Sequence, residues 1–180
     1  DRAIELNPAY SEAYVNRGLV YSMSGNYTEA IKNYDRAIEL NPKDVTTFRH
    51  RAEAYEKLNN DAVAVKDYDR LIESGSKDAL TYYKRGSLFD WLGKYPQAIK
   101  DFDEAIKMKP EYFEAYYKLS LALYDMARYT DAIDSFDKAV QMNPGFANAY
   151  YNRGVAYAII GNQPEAIKNY EKAIALNPSD

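Results

Sequence analysis

Small residues recur at a fixed spacing of 34 positions through the whole chain. Glycine returns at Gly18, Gly86 and Gly154, and one alanine returns in each of five consecutive segments with no insertion between them: Ala30, Ala64, Ala98, Ala132 and Ala166. A period of about 20 to 50 residues marks stacked supersecondary units, each contacting only its neighbours, in place of one enclosed core. The spacing therefore predicts a repeat array and directs the search for function to surfaces.

Each repeat reads as a pair of helices. Tyr14, Gly18 and Tyr21 follow the three-and-four spacing of an amphipathic helix, and the same spacing returns after a break at Gly25-Asn26, in the positions Ala30, Tyr34, Ala37 and Ile38. Asn41-Pro42 ends the second run. We expect the small residues to let the two backbones approach closely while aromatic rings fill the space beside them.

Two kinds of residue mark the start of the second helix in the pair. Pro96 and Pro164 fall in its expected first turn, where the missing amide hydrogen costs nothing. Thr28 and Thr130 stand at the equivalent positions and are predicted to cap the helix.

The period divides the chain by simple addition. Residues 1–10 are predicted to be the tail of a preceding repeat, because Asp1 to Pro8 has the same sequence as Asp35 to Pro42. The chain is accordingly expected to be cut from a longer protein. Five complete repeats follow, in one continuous solenoid domain, and they are 11–44, 45–78, 79–112, 113–146 and 147–180.

The recurring residues resemble the tetratricopeptide repeat family. The match is carried by Tyr14, Gly18 with Tyr21, Ala30, Tyr34, Ala37 and Pro42, and it returns with few losses in all five repeats. The resemblance implies an all-α fold: an α-solenoid of antiparallel helix pairs in a right-handed superhelix, with the first helix of each pair lining a concave groove. The repeat 45–78 departs most, with Asn59 in place of a loop glycine and Ser76 in place of the terminating proline, which predicts an altered packing angle or a more mobile joint there. Ordinary repeat drift is the alternative.

Composition restricts the function classes. The net charge is −4, and the sequence has no basic stripe that could neutralise the phosphates of a nucleic acid, so a nucleic-acid role is disfavoured. With no cysteine and the single histidine His50, neither a metal site nor a Ser-His-Asp set is expected, and we predict no cofactor and no catalysis. No apolar run approaches the roughly 18 residues of a membrane span. The compartment stays open, with the cytoplasm as the default.

Most tyrosines belong to the repeat pattern and are assigned to packing. Of 19 tyrosines, 13 fall at repeated positions. These are Tyr14, Tyr82, Tyr116, Tyr150, Tyr21, Tyr55, Tyr157, Tyr34, Tyr68, Tyr170, Tyr27, Tyr95 and Tyr129. The other six are Tyr10, Tyr83, Tyr112, Tyr117, Tyr124 and Tyr151.

The candidate site lies on the side of the first helices that faces away from this packing stripe. At about 100° per residue, the face with Tyr82 and Gly86 leaves Tyr83, Lys84 and Trp91 on another side, which in the resembled fold is the groove. Steps of 34 then give the predicted peptide-binding residues, namely Asn16, Arg49, His50, Tyr83, Lys84, Trp91, Tyr117, Lys118, Tyr151 and Asn152. Amide, phenol and ammonium groups suit an extended peptide. The alternative is a merely solvated inner face.

Two ligand modes of the resembled family fit the residues poorly. The clamp for the C-terminal carboxylate of heat-shock chaperones needs Lys and Asn one turn apart, and Val15 with Leu19, or Arg49 with Glu53, stands there instead. The asparagine ladder of the O-linked N-acetylglucosamine transferase repeats keeps only Asn16 and Asn152. Neither ligand is therefore expected.

Arginine also recurs in the first helix. Arg17, Arg51, Arg85 and Arg153 share one position, which Leu119 takes in the remaining repeat. The second helices carry Asn33, Asp67, Asp101 and Asn169 in the same repeats and Ser135 beside Leu119. A guanidinium between helices needs acceptors, so each arginine is predicted to bind the Asn or Asp of its own repeat.

These observations predict a non-enzymatic interaction scaffold that binds a partner peptide or helix in its concave groove, within a larger protein. Self-association is an alternative, because surface around Ile167, Tyr170 and Ile174 at one end, and the helix Asp1 to Asn7 at the other, has no cap. Presentation of substrates to an attached catalytic domain is a third possibility. The expected partner is a protein or peptide, or a second copy through the uncapped ends.

Overall fold

The computed structural model describes residues 2–75 and 78–177, and every regular element in these ranges is an α-helix. The helices are α1 (Arg2–Leu6), α2 (Ser11–Met23), α3 (Tyr27–Leu40), α4 (Val45–Lys57), α5 (Asp61–Glu73), α6 (Ala79–Trp91), α7 (Tyr95–Met108), α8 (Phe113–Asp125), α9 (Tyr129–Met142), α10 (Ala147–Ile159) and α11 (Gln163–Leu176). They form two compact units, unit 1 (Asp1–Lys77) and unit 2 (Asp78–Asp180). The predicted all-α fold is confirmed.

Each unit is built from helix pairs in contact with the next pair. In unit 1, α2 packs with α3 and α4 with α5, while α3 joins the pairs by contacting α4. Unit 2 repeats this order with the pairs α6/α7, α8/α9 and α10/α11, joined through α7 with α8 and α9 with α10. The short α1 lies against α2. In each unit the first helices of successive pairs also touch each other.

A small residue in the first helix faces an aromatic ring in the second. A Cβ atom added to Gly86 would lie 2.9 Å from the nearest ring carbon of Phe102, and one added to Gly18 would lie 2.5 Å from the ring of Tyr34. Real Cβ atoms do not approach carbon this closely, so glycine is required for the observed separation of the two helices. Tyr34 and Phe102 are correspondingly buried.

The start of the second helix was predicted in part correctly. Pro96 lies in the first turn of α7, and Pro164 in the first turn of α11, as expected. The prediction that Thr28 and Thr130 act as caps is wrong, because α3 already begins at Tyr27 and α9 at Tyr129. Asn26 is the N-cap of α3, where its side-chain oxygen accepts a hydrogen bond from the Glu29 amide.

All 13 tyrosines assigned to packing are buried or half-buried, which confirms that assignment. Among the other six, Tyr112 is buried as well, and Tyr10 and Tyr151 are exposed. The joint predicted after α5 includes Ser76, which lies outside the described residues. Ser74 and Gly75 form a turn there, and Gly75 has the positive φ of 88° that favours glycine.

The predicted arginine pairs are confirmed in every repeat that carries them. Arg85 donates through Nε and Nη2 to the two carboxylate oxygens of Asp101, both at 2.7 Å, and Arg51 grips Asp67 in the same bidentate manner. Arg17 donates to Asn33 and Arg153 to Asn169, each at 2.7 Å. The Asp101 side chain is only 2% exposed, so this charge depends on its guanidinium partner.

Arg51 and Arg153 also connect successive pairs. Arg51 Nη1 donates to Asp35 of α3 at 2.6 Å, and Arg153 Nη1 donates to Asp137 of α9. One side chain therefore fixes the contact within its own pair and the contact with the pair before it. No buried side-chain nitrogen or oxygen in the described ranges lacks a hydrogen-bond partner.

Removal of Arg85 should destabilise unit 2 by leaving Asp101 buried without its counter-ion. We expect Arg85→Leu to lower the free energy of unfolding by about 3 kcal/mol, measured by urea denaturation. The chain supplies its own compensated control, because Leu119 and Ser135 occupy these two positions in the next pair. The double variant Arg85→Leu, Asp101→Ser should recover most of the loss. Equal losses in the single and double variants would contradict this account.

Candidate functional site

Three first helices of unit 2 carry most of the predicted site. Helix α6 contacts α8, and α8 contacts α10. At the same turn they hold Tyr83 with Lys84, Tyr117 with Lys118, and Tyr151 with Asn152. We call the surface formed by these six residues the inner face.

Each tyrosine of the inner face rests on a ring of the second helix in its own pair. The ring centroids of Tyr83 and Phe102 are 6.1 Å apart, and Tyr117 lies 6.0 Å from Phe136. In the last pair, Tyr151 lies 5.9 Å from Tyr170. The rings that fill the space between paired helices therefore also pack against the tyrosines of the inner face.

Tyr83 and Tyr117 are held on a second side as well, and both are half-buried. Tyr112 lies 5.0 Å from Tyr83, and Phe146 meets Tyr117 edge-to-face at 4.8 Å. Burial, with Tyr83 adding a smaller effect, raises the pKa of Tyr112 to about 12, so this buried phenol stays neutral at physiological pH. Tyr151 is the one tyrosine of the inner face that is exposed.

Polar contacts tie the three helices together across the inner face. Asn152 donates from Nδ2 to the hydroxyl oxygen of Tyr117 at 3.0 Å, which joins α10 to α8. Lys118 Nζ lies 3.6 Å from Asp90 Oδ2, which joins α8 to α6. Burial raises the pKa of Asp90, and the nearby Lys118 ammonium offsets part of this effect. The Lys118 ammonium group is therefore partly neutralised by the Asp90 carboxylate.

The remaining predicted residue of unit 2 is fully presented to solvent. Trp91 is the last residue of α6, and 80% of its surface is exposed. Lys84 is half-buried and lies about two turns earlier on the same helix.

Three predicted site residues belong to unit 1. Asn16 is exposed on α2 and lines an open groove with Ala3 and Ile4 of α1. Arg49 and His50 are half-buried on α4, where the His50 ring stacks on Tyr34 at 5.9 Å. Among the predicted residues, Tyr117 and Asn152 are joined directly by a hydrogen bond.

Sequence reasoning missed Asp90 and Tyr112. Asp90 lies seven residues after Tyr83, a spacing that returns to the same side of a helix, so its place could have been predicted. Tyr112 is the N-cap residue of α8. Helical periodicity positions only residues within a helix, so it could not predict that Tyr112 packs against the preceding helix pair.

No group of three or more His, Cys, Asp or Glu side chains in the described ranges is placed to hold a metal ion. Within the same ranges, no helix combines the length and the apolar character that crossing a bilayer requires.

Comparisons with known proteins agree with the fold. Models of the tetratricopeptide repeat match residues 11–44 and, for a second model, 83–145 and 117–180, which together exceed half of the chain. The structure of MamA is 27% identical with a TM-score of 0.87, covering 89% of this chain and 94% of that one. A comparison with curated proteins gives no match.

Two further solved structures share the fold at lower identity. YrrB, described as a TPR protein with an unusual peptide-binding site, is 24% identical with a TM-score of 0.89, covering 99% of this chain and 92% of that one. MamA from Desulfovibrio magneticus RS-1 is 19% identical with a TM-score of 0.89, covering 94% of this chain and 96% of its own.

The hydrogen bond between Asn152 and Tyr117 predicts a measurable effect on stability. Tyr117→Phe keeps the packed ring and removes the acceptor, so we expect a loss of about 1 kcal/mol in the free energy of unfolding. Tyr151→Phe is the matched control, because no hydrogen bond of the Tyr151 hydroxyl is present in the part of the chain that the structure describes. Urea denaturation should leave that variant within about 0.5 kcal/mol of the wild type. Equal effects of the two substitutions would show that the interhelical bond does not contribute.

Proposed function

Because the chain belongs to the tetratricopeptide repeat family, we propose that it is a non-enzymatic interaction scaffold whose inner face in unit 2 binds an extended peptide or a helix of a protein partner. Family membership and the fold relatives support the scaffold role. The division into five repeats, 11–44 to 147–180, remains part of this proposal.

The observation that carries the proposal is the support of the inner face by the core. Rings held from below by Phe102, Phe136 and Tyr170 lose little conformational freedom when a ligand covers them. Such pre-organisation lowers the entropic cost of binding. The description of YrrB as a peptide-binding TPR protein is consistent with the same use of this fold.

The chemistry of the inner face suits main-chain and acidic groups of a peptide. Tyr151 offers an exposed ring, and Lys84 offers an ammonium group on the neighbouring part of the face. Asn152 has an amide oxygen that remains available to accept from a peptide N–H while its nitrogen donates to Tyr117. In unit 1, considered by itself, Asn16, Arg49 and His50 are the candidate contacts for a peptide.

We expect Lys84 and Tyr151 of the inner face to control affinity. Peptides selected from a phage-displayed library against the full chain would be resynthesised with a fluorophore and titrated by anisotropy. Lys84→Ala and Tyr151→Ala should each weaken binding about tenfold, because hot-spot truncations commonly cost 1 kcal/mol or more. Circular dichroism would show that both variants remain folded.

Lys138→Ala is the matched control, since Lys138 is exposed on α9, a second helix. Its affinity should equal that of the wild type. Failure to select any peptide, or equal binding by all three variants, would contradict the inner-face assignment.

A second candidate function, self-association, is favoured by the outer surface of α11. Ile174 is 64% exposed on α11, whereas the equivalent Val140 on α9 is 7% exposed because α10 covers it. A groove of about 540 Å³ lies beside Ile174 and is lined also by Tyr151 and Tyr170. A first helix from a second copy would fit the surface as α10 fits α9.

Self-association through this surface predicts a mass that rises with concentration in light scattering. Ile174→Glu places a charge in the contact and should return the chain to a constant monomer mass. Lys168→Glu is the control, because Lys168 is exposed on α11 and does not line the groove. Ile99→Glu would not serve as a control, since Ile99 is half-buried. A constant monomer mass of the wild type, or equal association by the Ile174 variant, would reject this candidate.

A further inference from the structure

Helix α2 exposes an apolar side chain at a position that three other first helices bury. Val20 is 66% exposed, whereas the equivalent Ala54 of α4 is 2% exposed and packs in one cluster with Ile31 of the preceding helix α3. The same position is completely buried at Ala122 of α8 and Ala156 of α10. Val20 therefore lies on the face of α2 that a preceding second helix covers in these other pairs.

Helix α11 exposes the matching apolar face of a second helix. Ile167 is 56% exposed, whereas the equivalent Ile31 of α3 and Ile133 of α9 are at most 8% exposed, because α4 and α10 cover them. Ile174 is exposed about two turns further along α11. Helix α11 thus presents, along most of its length, the apolar face that α3 and α9 use to bind the next first helix.

The structure already contains part of such a contact, in α1. This helix lies against α2, and Ile4 lines the same open groove as Val20. Residues 1–8 read DRAIELNP and residues 171–178 read EKAIALNP, so α1 resembles the last turns of α11 in sequence. Helix α1 has only five residues, none of them buried, and leaves Val20 largely exposed. Helix α2 therefore accepts a helix of this sequence, and α11 supplies the further turns, with Ile167, that α1 lacks.

The residue before α2 matches the aromatic residues that pack on the inner face. Phe146 is the N-cap residue of α10 and meets Tyr117 of the preceding first helix at 4.8 Å, and Tyr112 has the same place before α8. Tyr10 is the N-cap residue of α2 and is exposed, as is Tyr151, the next tyrosine in the series. If α2 of a second copy follows α11 in the register of the repeat, Tyr10 lies on Tyr151 as Phe146 lies on Tyr117.

A hydrogen-bonding position matches in the same register. Asn152 of α10 donates to the hydroxyl oxygen of Tyr117, one repeat before Tyr151. Helix α2 carries Asn16 at the position of Asn152, whereas the three first helices between them carry histidine or lysine there. Asn16 of a second copy would therefore meet the hydroxyl group of Tyr151.

A charged position matches as well. Arg153 Nη1 of α10 donates to Asp137 of α9 across the junction between two pairs. Glu171 stands at the acceptor position on α11 and is exposed, and Arg17 stands at the donor position on α2. Opposite charges therefore meet when α2 follows α11 in the register of the repeat.

We propose that α11 of one copy of the chain binds α2 of a second copy in the register of successive repeats and displaces α1 from it. Because α1 and the last turns of α11 occupy equivalent positions, they cannot bind α2 together. The contact is heterologous, since each copy contributes a different surface. Helix α1 acts as a competitor within the chain and weakens the association. The inference rests on the self-association proposed above and names both surfaces.

Mixing two blocked variants tests whether the contact is heterologous. Val20→Glu blocks α2 and Ile174→Glu blocks α11, and both side chains are exposed, so circular dichroism should show folded chains. In light scattering each variant alone should keep the monomer mass of 20.6 kDa, and an equimolar mixture should reach twice that mass. Lys168→Glu adds negative charge outside the groove and should associate as the wild type does.

Ile4→Glu tests the displacement of α1. Ile4 is half-buried beside α2, so a charge there should release α1 and lower the concentration needed for half-association about threefold. Leu6→Glu is the matched control, because Leu6 is exposed on α1 and the same charge should leave the association unchanged.

The outcomes separate this inference from the self-association on which it rests. Association of Val20→Glu alone at wild-type strength, or a mixture of the two blocked variants that stays monomeric, overturns the contact between α11 and α2 while wild-type self-association stands. Unchanged association of Ile4→Glu overturns the displacement of α1. A constant monomer mass of the wild type overturns both the inference and the self-association.

Discussion

Three of the helix pairs approach closely because glycine in the first helix leaves room for an aromatic ring of the second. Gly18, Gly86 and Gly154 leave space that the rings of Tyr34, Phe102 and Tyr170 occupy almost completely. Tyr34 and Phe102 are buried in this way, so neither ring can move without separating its two helices, whereas Tyr170 is half-buried. Such rings also support the tyrosines of the inner face, as in Tyr83 on Phe102 and Tyr151 on Tyr170. Packing and the candidate binding surface therefore depend on the same side chains.

The arginine layer has a different part in the architecture. Arg51 and Arg153 bind acceptors in their own pair and in the pair before, so they specify both the pairing and the stacking of helices. A buried ion pair contributes more to specificity than to net stability in some proteins. Leu119 with Ser135 shows that one pair in the chain forms without it.

The sequence predicts those features that the repeat itself encodes. A helix of 3.6 residues per turn determines which side chains share a face, and one repeat contains both helices of a pair. The sequence therefore predicts the helix pairs, the glycine contacts, the packing tyrosines and the Arg85–Asp101 bond. The capping prediction for Thr28 is wrong, because the side chain of Asn26 accepts a hydrogen bond from the Glu29 amide and caps the helix two positions earlier than predicted.

The candidate site was less predictable because it depends on contacts between pairs. The bond from Asn152 to Tyr117 and the approach of Lys118 to Asp90 join helices whose relative orientation no helical period gives. For the same reason the half-burial of Tyr83 by Tyr112, a residue outside any helix, could not be derived. Exposure of Trp91 and Tyr151 is likewise set by neighbouring pairs.

The proposed function places the binding surface on the first helices of unit 2. The most direct measurement is the NMR amide spectrum of the full chain, labelled with nitrogen-15, as a selected peptide is added. Shift changes should be concentrated in α6, α8 and α10, around Tyr83, Lys118 and Tyr151. Changes concentrated in the second helices α7 and α9, with the inner-face amides unmoved, would contradict the account.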